Sequence, residues 1–223
     1  MASSPPSRLT RLQQDLLAGF FAREKRFFLT GGGALAGFYF GHRDTEDLDL
    51  FSAPGPDLAE AAQALAEAAT ACGASLEAQR TYLDFRRYVA RRGTEECIVD
   101  LVIDRAPVLV EDKPSFGNVR VDALREIAAN KICTLLARSE IKDLVDLRAL
   151  VDAGMDLEQA FADAQQKDTG AEMATLAWIL GEMRIGPEAR LPGNTDPVEL
   201  DEFRRRLVER LGKLTFERAQ RRS

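Results

Sequence analysis

Two aspartates in the first quarter of the chain have the spacing of a metal-binding pair. Asp47 and Asp49 alternate with Leu48 and Leu50. Residues two apart in an extended strand point the same way, so the carboxylates lie side by side while the leucines face the core. Magnesium in proteins is bound through a few carboxylates together with water and phosphate oxygens. The pair therefore predicts a Mg²⁺ site on a strand, although an exposed acidic strand end has the same pattern.

A run of three glycines before this pair is a candidate phosphate-binding turn. Gly31, Gly32 and Gly33 follow a short apolar run at 26–30, and a short helix is predicted from Ala34. Glycines let backbone N–H groups approach a triphosphate, and the N-terminus of a helix attracts anions. We expect nucleotide phosphates at this turn, although a tight turn without a ligand has the same composition.

Asp100 is the one charged residue in the apolar run 98–103. A lone buried charge is costly, so this aspartate must be paired or bound to a metal ion. Asp104 has the same strand parity, but it ends the run, and an ion pair with Arg105 would explain it.

A lysine lies on the apolar face of a predicted helix. The inward stripe of that helix is Leu124, Ile127, Ala128, Lys131 and Leu135. Arg138 lies seven residues after Lys131 on the same side, which directs two cations toward one region. The residues alone favour pairing with Asp143 or Asp146, or extension of both cations to water.

Composition excludes several classes of chemistry. The single histidine, His42, removes most Ser-His triads and His-rich metal sites, so carboxylates must carry any catalysis. Cys72, Cys97 and Cys133 are odd in number and have no CxxC spacing, so we expect buried thiols without a disulfide framework or zinc site. The net charge of −6 argues against broad non-specific nucleic-acid binding and leaves room for a local basic surface.

The N-terminus has no secretory pattern, and no apolar run is long enough for a membrane span. The sequence therefore predicts a cytoplasmic protein that does not bind a membrane.

The elements that must position these residues follow from apolar periodicity and turn residues. Strands are predicted at 26–30, 47–51, 84–91 and 96–103, the last two as an antiparallel hairpin. Helices are predicted at 9–21, 34–40, 57–71, 122–138, 141–153, 157–166, 170–182 and 197–219. The order predicts an α+β fold with a mixed sheet and flanking helices over residues 1–118, followed by a helical region over 119–223.

Two separated motifs resemble one known family. Residues 29–51, LTGGGALAGFYFGHRDTEDLDLF, resemble the first motif of the AbiEii/AbiGii-type nucleotidyltransferase toxins, which belong to the DNA-polymerase-β-like superfamily. Residues 131–147, KICTLLARSEIKDLVDL, are similar to the later motif of that family. The resemblance covers most of 25–152 and implies the polymerase-β-like nucleotidyltransferase fold. The helical tail is not diagnostic of the family.

The resemblance also implies roles for individual residues. The implied catalytic residues are Asp47, Asp49, Asp100, Lys131 and Asp146, of which Asp47, Asp49 and Asp100 would bind metal. The implied nucleotide-binding residues are Gly31, Gly32, Gly33, Arg43, Lys131 and Arg138. Asp104 competes with Asp100, and Asp143 competes with Asp146. The family commonly has a small hydroxyl residue at the position of Gly33, so Thr30 or Thr45 would have to supply one.

The implied reaction transfers a nucleoside monophosphate from a nucleoside triphosphate to an acceptor hydroxyl, with Mg²⁺ or Mn²⁺. The family implies a bacterial toxin with a cognate antitoxin and a tRNA 3′ end or other RNA as acceptor. The helical region 119–223 would complete the active site and bind the acceptor.

A protein or small-molecule acceptor and a non-catalytic nucleotide- or partner-binding relative remain alternatives. Two basic stretches favour RNA: Arg86, Arg87, Arg91 and Arg92, and the tail from Arg204 to Arg222. In that tail an apolar stripe would leave the arginines displayed, namely Arg204, Arg205, Arg206, Arg210 and Arg218.

Overall fold

The computed structural model describes residues 7–222. The chain forms two compact units, divided in sequence between Ala123 and Leu124. Each unit has its own secondary structure and its own core, and each is described separately below.

The first unit is built on a five-stranded mixed sheet. Its strands are β1 (Phe28–Thr30), β2 (Asp47–Ser52), β3 (Ser75–Thr81), β4 (Phe85–Arg92) and β5 (Glu95–Ile103). Their order across the sheet is β1-β2-β5-β4-β3, in which β2 and β5 are parallel and the other neighbours are antiparallel. A separate small ribbon pairs β6 (Ser115–Phe116) with β7 (Val119–Arg120). The predicted α+β class is confirmed.

Three helical segments accompany this sheet: α1 (Arg11–Arg23), α2 (Gly31–Ala34) and α3 (Leu58–Ala71). Thr10 and Gln13 form a reciprocal capping box that starts α1 and satisfies two otherwise unpaired backbone donors. α1 packs against α3, and Gly19 permits this close approach because a Cβ there would lie 2.8 Å from the Cβ of Ala68. The predicted helices over 9–21 and 57–71 are therefore confirmed.

Three details of the first unit differ from the prediction, and the first is that the short ribbon of β6 and β7 was not predicted. Strand β3 was not predicted, because most of its side chains are exposed at the sheet edge and its sequence has no apolar alternation. The second helix begins at Gly31 instead of after the glycines, and it continues as a π-helical turn over Leu35–Tyr39. The glycines therefore form the first helical turn, where their missing side chains leave room for neighbouring groups of the site.

Within residues 124–222, the second unit is built of helices. They are α4 (Leu124–Arg138), α5 (Ile141–Asp152), α6 (Leu157–Lys167), α7 (Met173–Glu182) and α8 (Pro197–Arg222). α4 packs against α5 and α6, and α7 packs along α8. Each predicted helix of this region is present. Across residues 7–222, none of the helices combines the length and the apolar composition that a membrane span requires.

Candidate active site

One row of residues crosses four strands of the sheet and carries the predicted acids. Thr30 on β1 pairs in register with Asp49 on β2, Asp49 with Asp100 on β5, and Asp100 with Arg87 on β4. Residues paired in register project from the same face of a sheet, so these four side chains share one face. Asp47 lies on that face too, because it is two residues before Asp49 and the leucines between and after are buried. The structure therefore brings Asp47, Asp49 and Asp100 together as predicted.

The glycine turn lies directly against this row. A Cβ on Gly31 would collide with the Asp49 carboxylate, and one on Gly32 would collide with the Arg43 guanidinium. A Cβ on Gly33 would lie 3.2 Å from the backbone oxygen of Asp47. The turn, the aspartate pair and Arg43 thus form a single site, and the absence of side chains on the glycines makes that proximity sterically possible.

Alanine at Gly31 is expected to inactivate the site, whereas alanine at Gly73 is not. Both glycines have a left-handed backbone, with φ of 64° and 71°, and alanine there costs about 1–2 kcal/mol of stability. Only the Gly31→Ala methyl meets the Asp49 carboxylate, since nothing lies within 4 Å of a Cβ on Gly73. A displaced carboxylate is expected to lower the rate of the nucleotidyl transfer that the resemblance implies by about 100-fold. Urea unfolding first checks that the two variants are equally stable. The rates of pyrophosphate release by the two variants then test the prediction, and equal rates would contradict it.

Asp100 is held by an arginine. Arg87 donates from Nε to Asp100 Oδ1 at 2.8 Å and from Nη2 to Asp100 Oδ2 at 2.6 Å. Asp100 is buried, whereas the Arg87 side chain is 36% exposed. The hydrogen bonds to Asp100 raise the pKa of Arg87, and the charges of Asp47 and Asp49 raise it further. The guanidinium therefore interacts with all three carboxylates of this sheet face, although it is hydrogen-bonded to Asp100.

The donor set fits a divalent cation in part. Asp47 and Asp49 supply two neighbouring carboxylates on one sheet face, which suits Mg²⁺ that is also bound by phosphate oxygens and water. Both oxygens of Asp100 accept hydrogen bonds from Arg87. Within residues 7–222, no group of three or more His, Cys, Asp or Glu side chains is arranged to hold a metal ion. The predicted set of three carboxylate ligands is therefore not preformed in the described residues.

A buried polar cluster fixes the strand end from which the glycine turn starts. Thr30 donates its hydroxyl to Asp122 Oδ2 at 2.7 Å, and Lys113 Nζ lies 2.8 Å from Asp122 Oδ1. Thr30, Asp122 and the Lys113 side chain are all buried. Thr30 therefore does not offer a phosphate the hydroxyl group that is missing at Gly33. Thr45, the other alternative, bonds the backbone oxygen of Asp47 at 3.3 Å.

Asp104, the alternative to Asp100, has a local structural role. Its Oδ1 accepts a hydrogen bond from the backbone N–H of Ala106 at 2.9 Å, just after β5 ends. Arg105, its predicted ion-pair partner, instead binds Asp84 at 2.9 Å. The expected surface ion pair between Asp104 and Arg105 is therefore wrong, and the register places Asp100 beside Asp49.

In the second unit, Lys131 is enclosed by acidic side chains. Its Nζ lies 2.8 Å from Asp143 Oδ1 and 2.6 Å from Asp146 Oδ2. Both aspartates are fully buried. Arg138 also binds Asp143, from Nε at 2.9 Å and Nη2 at 3.1 Å. Asp143 therefore joins the two predicted cations, and the alternative in which Lys131 extends to water is wrong.

Burial and charge oppose each other in this cluster. Burial acts to lower the pKa of Lys131, but the charges of Asp146 and Asp143 outweigh it and raise that pKa. Burial acts to raise the pKa of Asp143, but the hydrogen bond from Arg138 and the charge of Lys131 lower it. The attraction between Lys131 and the two aspartates thus offsets the cost of burying them.

Comparison with known proteins agrees with the two-motif resemblance. Residues 15–223 match the model of a protein family described as nucleotidyl transferase AbiEii toxin, type IV TA system. The chain belongs to the AbiEii nucleotidyltransferase toxin family. It is thus a nucleotidyltransferase, and a family of this kind implies a nucleoside triphosphate substrate and an antitoxin partner. A search of curated proteins finds no significant match.

Two solved structures share the fold of this AbiEii family member. JHP933 from Helicobacter pylori is 16% identical, with a TM-score of 0.58, and the alignment covers 96% of each chain. A protein from H. pylori assigned as a nucleotidyltransferase is 17% identical, with a TM-score of 0.60, and the alignment covers 92% of this chain and 95% of the other. At these identities the likeness supports the fold, and the predicted nucleotidyltransferase fold is confirmed.

Arg87 is the residue of this AbiEii site whose position the sequence analysis missed. The sequence analysis assigned Arg87 to a basic stretch, although the sequence contained a signal for its pairing with Asp100. The hairpin turn joins Arg92 to Glu95, and pairing outward from the turn places Arg87 opposite Asp100. Reading the register from a two-residue turn would therefore have found the pair.

The predicted basic surfaces of the AbiEii chain are smaller than the sequence suggests. Arg91 binds Glu77 and Glu96, and Arg92 binds Asp15 and Glu95. On α8, Arg204 is largely buried against Asp201 and the Leu180 backbone oxygen, so the expectation that it is displayed is wrong. Arg218 is also only partly exposed. Arg205, Arg206 and Arg210 remain exposed, as predicted.

The three cysteines are free thiols. Cys97 is buried, as expected, and burial raises its pKa to about 12. Cys72 and Cys133 are partly exposed, which corrects the expectation that all three are buried.

Proposed function

We propose that this chain transfers a nucleoside monophosphate from a nucleoside triphosphate to the 3′-terminal hydroxyl of an RNA, as the toxin of a type IV toxin–antitoxin pair. The observation that carries the proposal is the position of Asp47 and Asp49 on one face of β2, directly against the glycine turn. Two carboxylates beside a turn without side chains suit a metal-bound triphosphate better than an uncharged ligand.

Different residues of the first unit would bind the metal ion and the phosphates of the nucleotide. Asp47 and Asp49 would hold Mg²⁺, which when bound supplies Lewis-acid stabilisation of charge on the phosphate oxygens. The glycine turn lets phosphate oxygens approach its backbone. Arg43, whose guanidinium lies against Gly32, adds positive charge on the same side. Together these groups orient the α-phosphate and stabilise the charge that develops on it.

The reaction that these groups support is a displacement at phosphorus. The acceptor hydroxyl oxygen forms a bond to the α-phosphorus, and the bond from that phosphorus to the α–β bridging oxygen breaks. Pyrophosphate leaves with the bonding electrons, and the acceptor proton passes to water. No covalent enzyme intermediate is needed, which suits a site that consists of carboxylates and arginines.

Lys131, Arg138 and Asp146 are proposed site residues in the second unit. In this structure Lys131 is bound by Asp143 and Asp146. A phosphate would therefore compete with those carboxylates for the ammonium group, and Asp146 would set how readily Lys131 is released. Asp143, which binds Lys131 and Arg138 together, is assigned to holding the cluster.

The proposed RNA acceptor is supported by the arginines of α8. The Arg205, Arg206 and Arg221 side chains are 63%, 68% and 64% exposed, although each lies within 4 Å of an acidic residue. Exposed arginines contact backbone phosphates, and binding of that kind weakens steeply with salt. The overall charge of −6 argues against broad non-specific binding and allows a local basic surface of this kind.

The proposed function is tested with each α-³²P nucleoside triphosphate, Mg²⁺ and total bacterial RNA, followed by a denaturing gel. We expect label in a tRNA-sized band that RNase removes and that is absent with Asp49→Asn. Label in a protease-sensitive band, or in a product of small-molecule size, would move the acceptor to another class. No label and no pyrophosphate release with any acceptor fraction would contradict the proposal.

A further inference from the structure

Arg87 has the position and the contacts of a fixed cation in the active site. Its guanidinium binds both oxygens of Asp100, with the planar two-bond geometry that arginine makes to carboxylates. The guanidinium carbon also lies 5.7 Å from the centre of the Phe85 ring, on the same strand and face. Two hydrogen bonds and a ring contact hold the cation in one orientation.

The sheet register makes this contact a consequence of the fold. Asp49 and Asp100 are direct partners on parallel strands, and Asp100 and Arg87 are direct partners across the hairpin. The cation therefore stands on the far side of Asp100 from the Asp47 and Asp49 pair. For Asp100 to bind a divalent ion with both oxygens, the guanidinium would have to leave, because two cations at one carboxylate repel each other.

We propose that Arg87 takes the place of a second divalent cation, so that the site binds one metal ion, through Asp47 and Asp49. The inference rests on the proposed function, because it assigns the metal content of that same site. Arg87 holds Asp100 in one orientation, and its partly exposed guanidinium carries a permanent positive charge on the same sheet face as the aspartates. Arg87 thus positions Asp100 and supplies the positive charge that a second divalent cation would otherwise bring.

The test counts bound Mn²⁺ by electron paramagnetic resonance, with Mn²⁺ alone as the probe and the full chain as the protein. We expect one Mn²⁺ per chain in the wild type and two in Arg87→Gln, because loss of the guanidinium frees Asp100 to bind an ion. Arg87→Lys keeps a positive charge and is expected to bind one. Asp49→Asn is expected to bind none.

Arg91→Gln is the matched control, since Arg91 lies on the same strand but binds Glu77 and Glu96, and its count stays at one. A count of zero or two in the wild type overturns the inference, as does an unchanged count in folded Arg87→Gln. The wild-type count alone decides the case if Arg87→Gln does not fold. Nucleotide transfer is measured on the same samples, to separate failure of this inference from failure of the proposed function. If the wild type binds two ions and transfers nucleotide normally, only the metal assignment is overturned.

Discussion

Replacing Asp49 with asparagine is expected to lower nucleotidyl transfer by at least about 100-fold, the order of loss seen when one charge-stabilising group is removed. Asp49 is the carboxylate that lies against Gly31 and pairs in register with Asp100. Asparagine has nearly the same shape but cannot offer a charged carboxylate to a metal ion. Initial rates of pyrophosphate release, with Mg²⁺ and triphosphate in excess, measure the effect.

Two comparisons make this result specific to the site. Asp49→Asn should change the free energy of unfolding by no more than about 1 kcal/mol, as for most substitutions outside a packed core. Glu46→Gln removes an exposed negative charge one residue before β2 and should leave the rate unchanged. Full activity in Asp49→Asn, or an equal loss in Glu46→Gln, would remove the basis of the assigned site.

Replacing Asp143 with alanine is expected to destabilise the protein by about 3–5 kcal/mol, because it breaks a buried ion-pair cluster on one side. Asp143 is fully buried and accepts hydrogen bonds from Lys131 and Arg138. Its removal leaves a buried ammonium group with fewer partners and opens a cavity. Urea unfolding followed by circular dichroism at 222 nm measures the loss.

Asp152→Ala on the same helix α5 is the control for that experiment. Asp152 is exposed and pairs with the partly exposed Arg148 at 3.6 Å, and ion pairs at the surface contribute less than about 1 kcal/mol. If the two variants lose similar stability, the cluster does not hold the helices together as the geometry indicates.

The Asp143 result also bears on how a Lys131→Ala variant is interpreted. That variant leaves Asp143 and Asp146 buried without their shared cation. A loss of activity would then combine a structural effect with any loss of a phosphate contact. Lys131 is therefore better tested by the change in KM for the triphosphate at a temperature where the variant is folded.

Local patterns in the sequence were sufficient to identify the main elements of the site. Alternation with buried leucines placed Asp47 and Asp49 on one face of a strand, because side-chain direction in a strand has a period of two. The apolar stripe that contains Lys131 placed this residue on the buried face of its helix, since one face of a packed helix must be buried. The stripe left open whether the ammonium pairs with an aspartate or extends to water. Both inferences depend only on the geometry of a single element.

The partners of the buried charges were decided by tertiary structure. Local spacing required a partner for Asp100 but did not name Arg87, because that contact depends on register across a hairpin. It left Asp143 and Asp146 as alternatives, whereas packing of α5 against α4 brings both to Lys131 and brings Asp143 to Arg138 as well. The edge strand β3 also escaped detection, because an exposed edge carries no apolar pattern.

The sequence by itself thus determined which elements form and which faces they bury, since periodicity and turn chemistry are local. The tertiary structure decided which charged groups pair. It therefore decided that Arg87 binds Asp100 and that Asp143 and Asp146 enclose Lys131. Pairing between charges is set by strand register and helix packing, which join residues distant in sequence. That is why the acids of the site could be predicted from local patterns while most of its ion pairs could not. The pair of Arg87 with Asp100 is the exception, because a two-residue hairpin turn fixes its register.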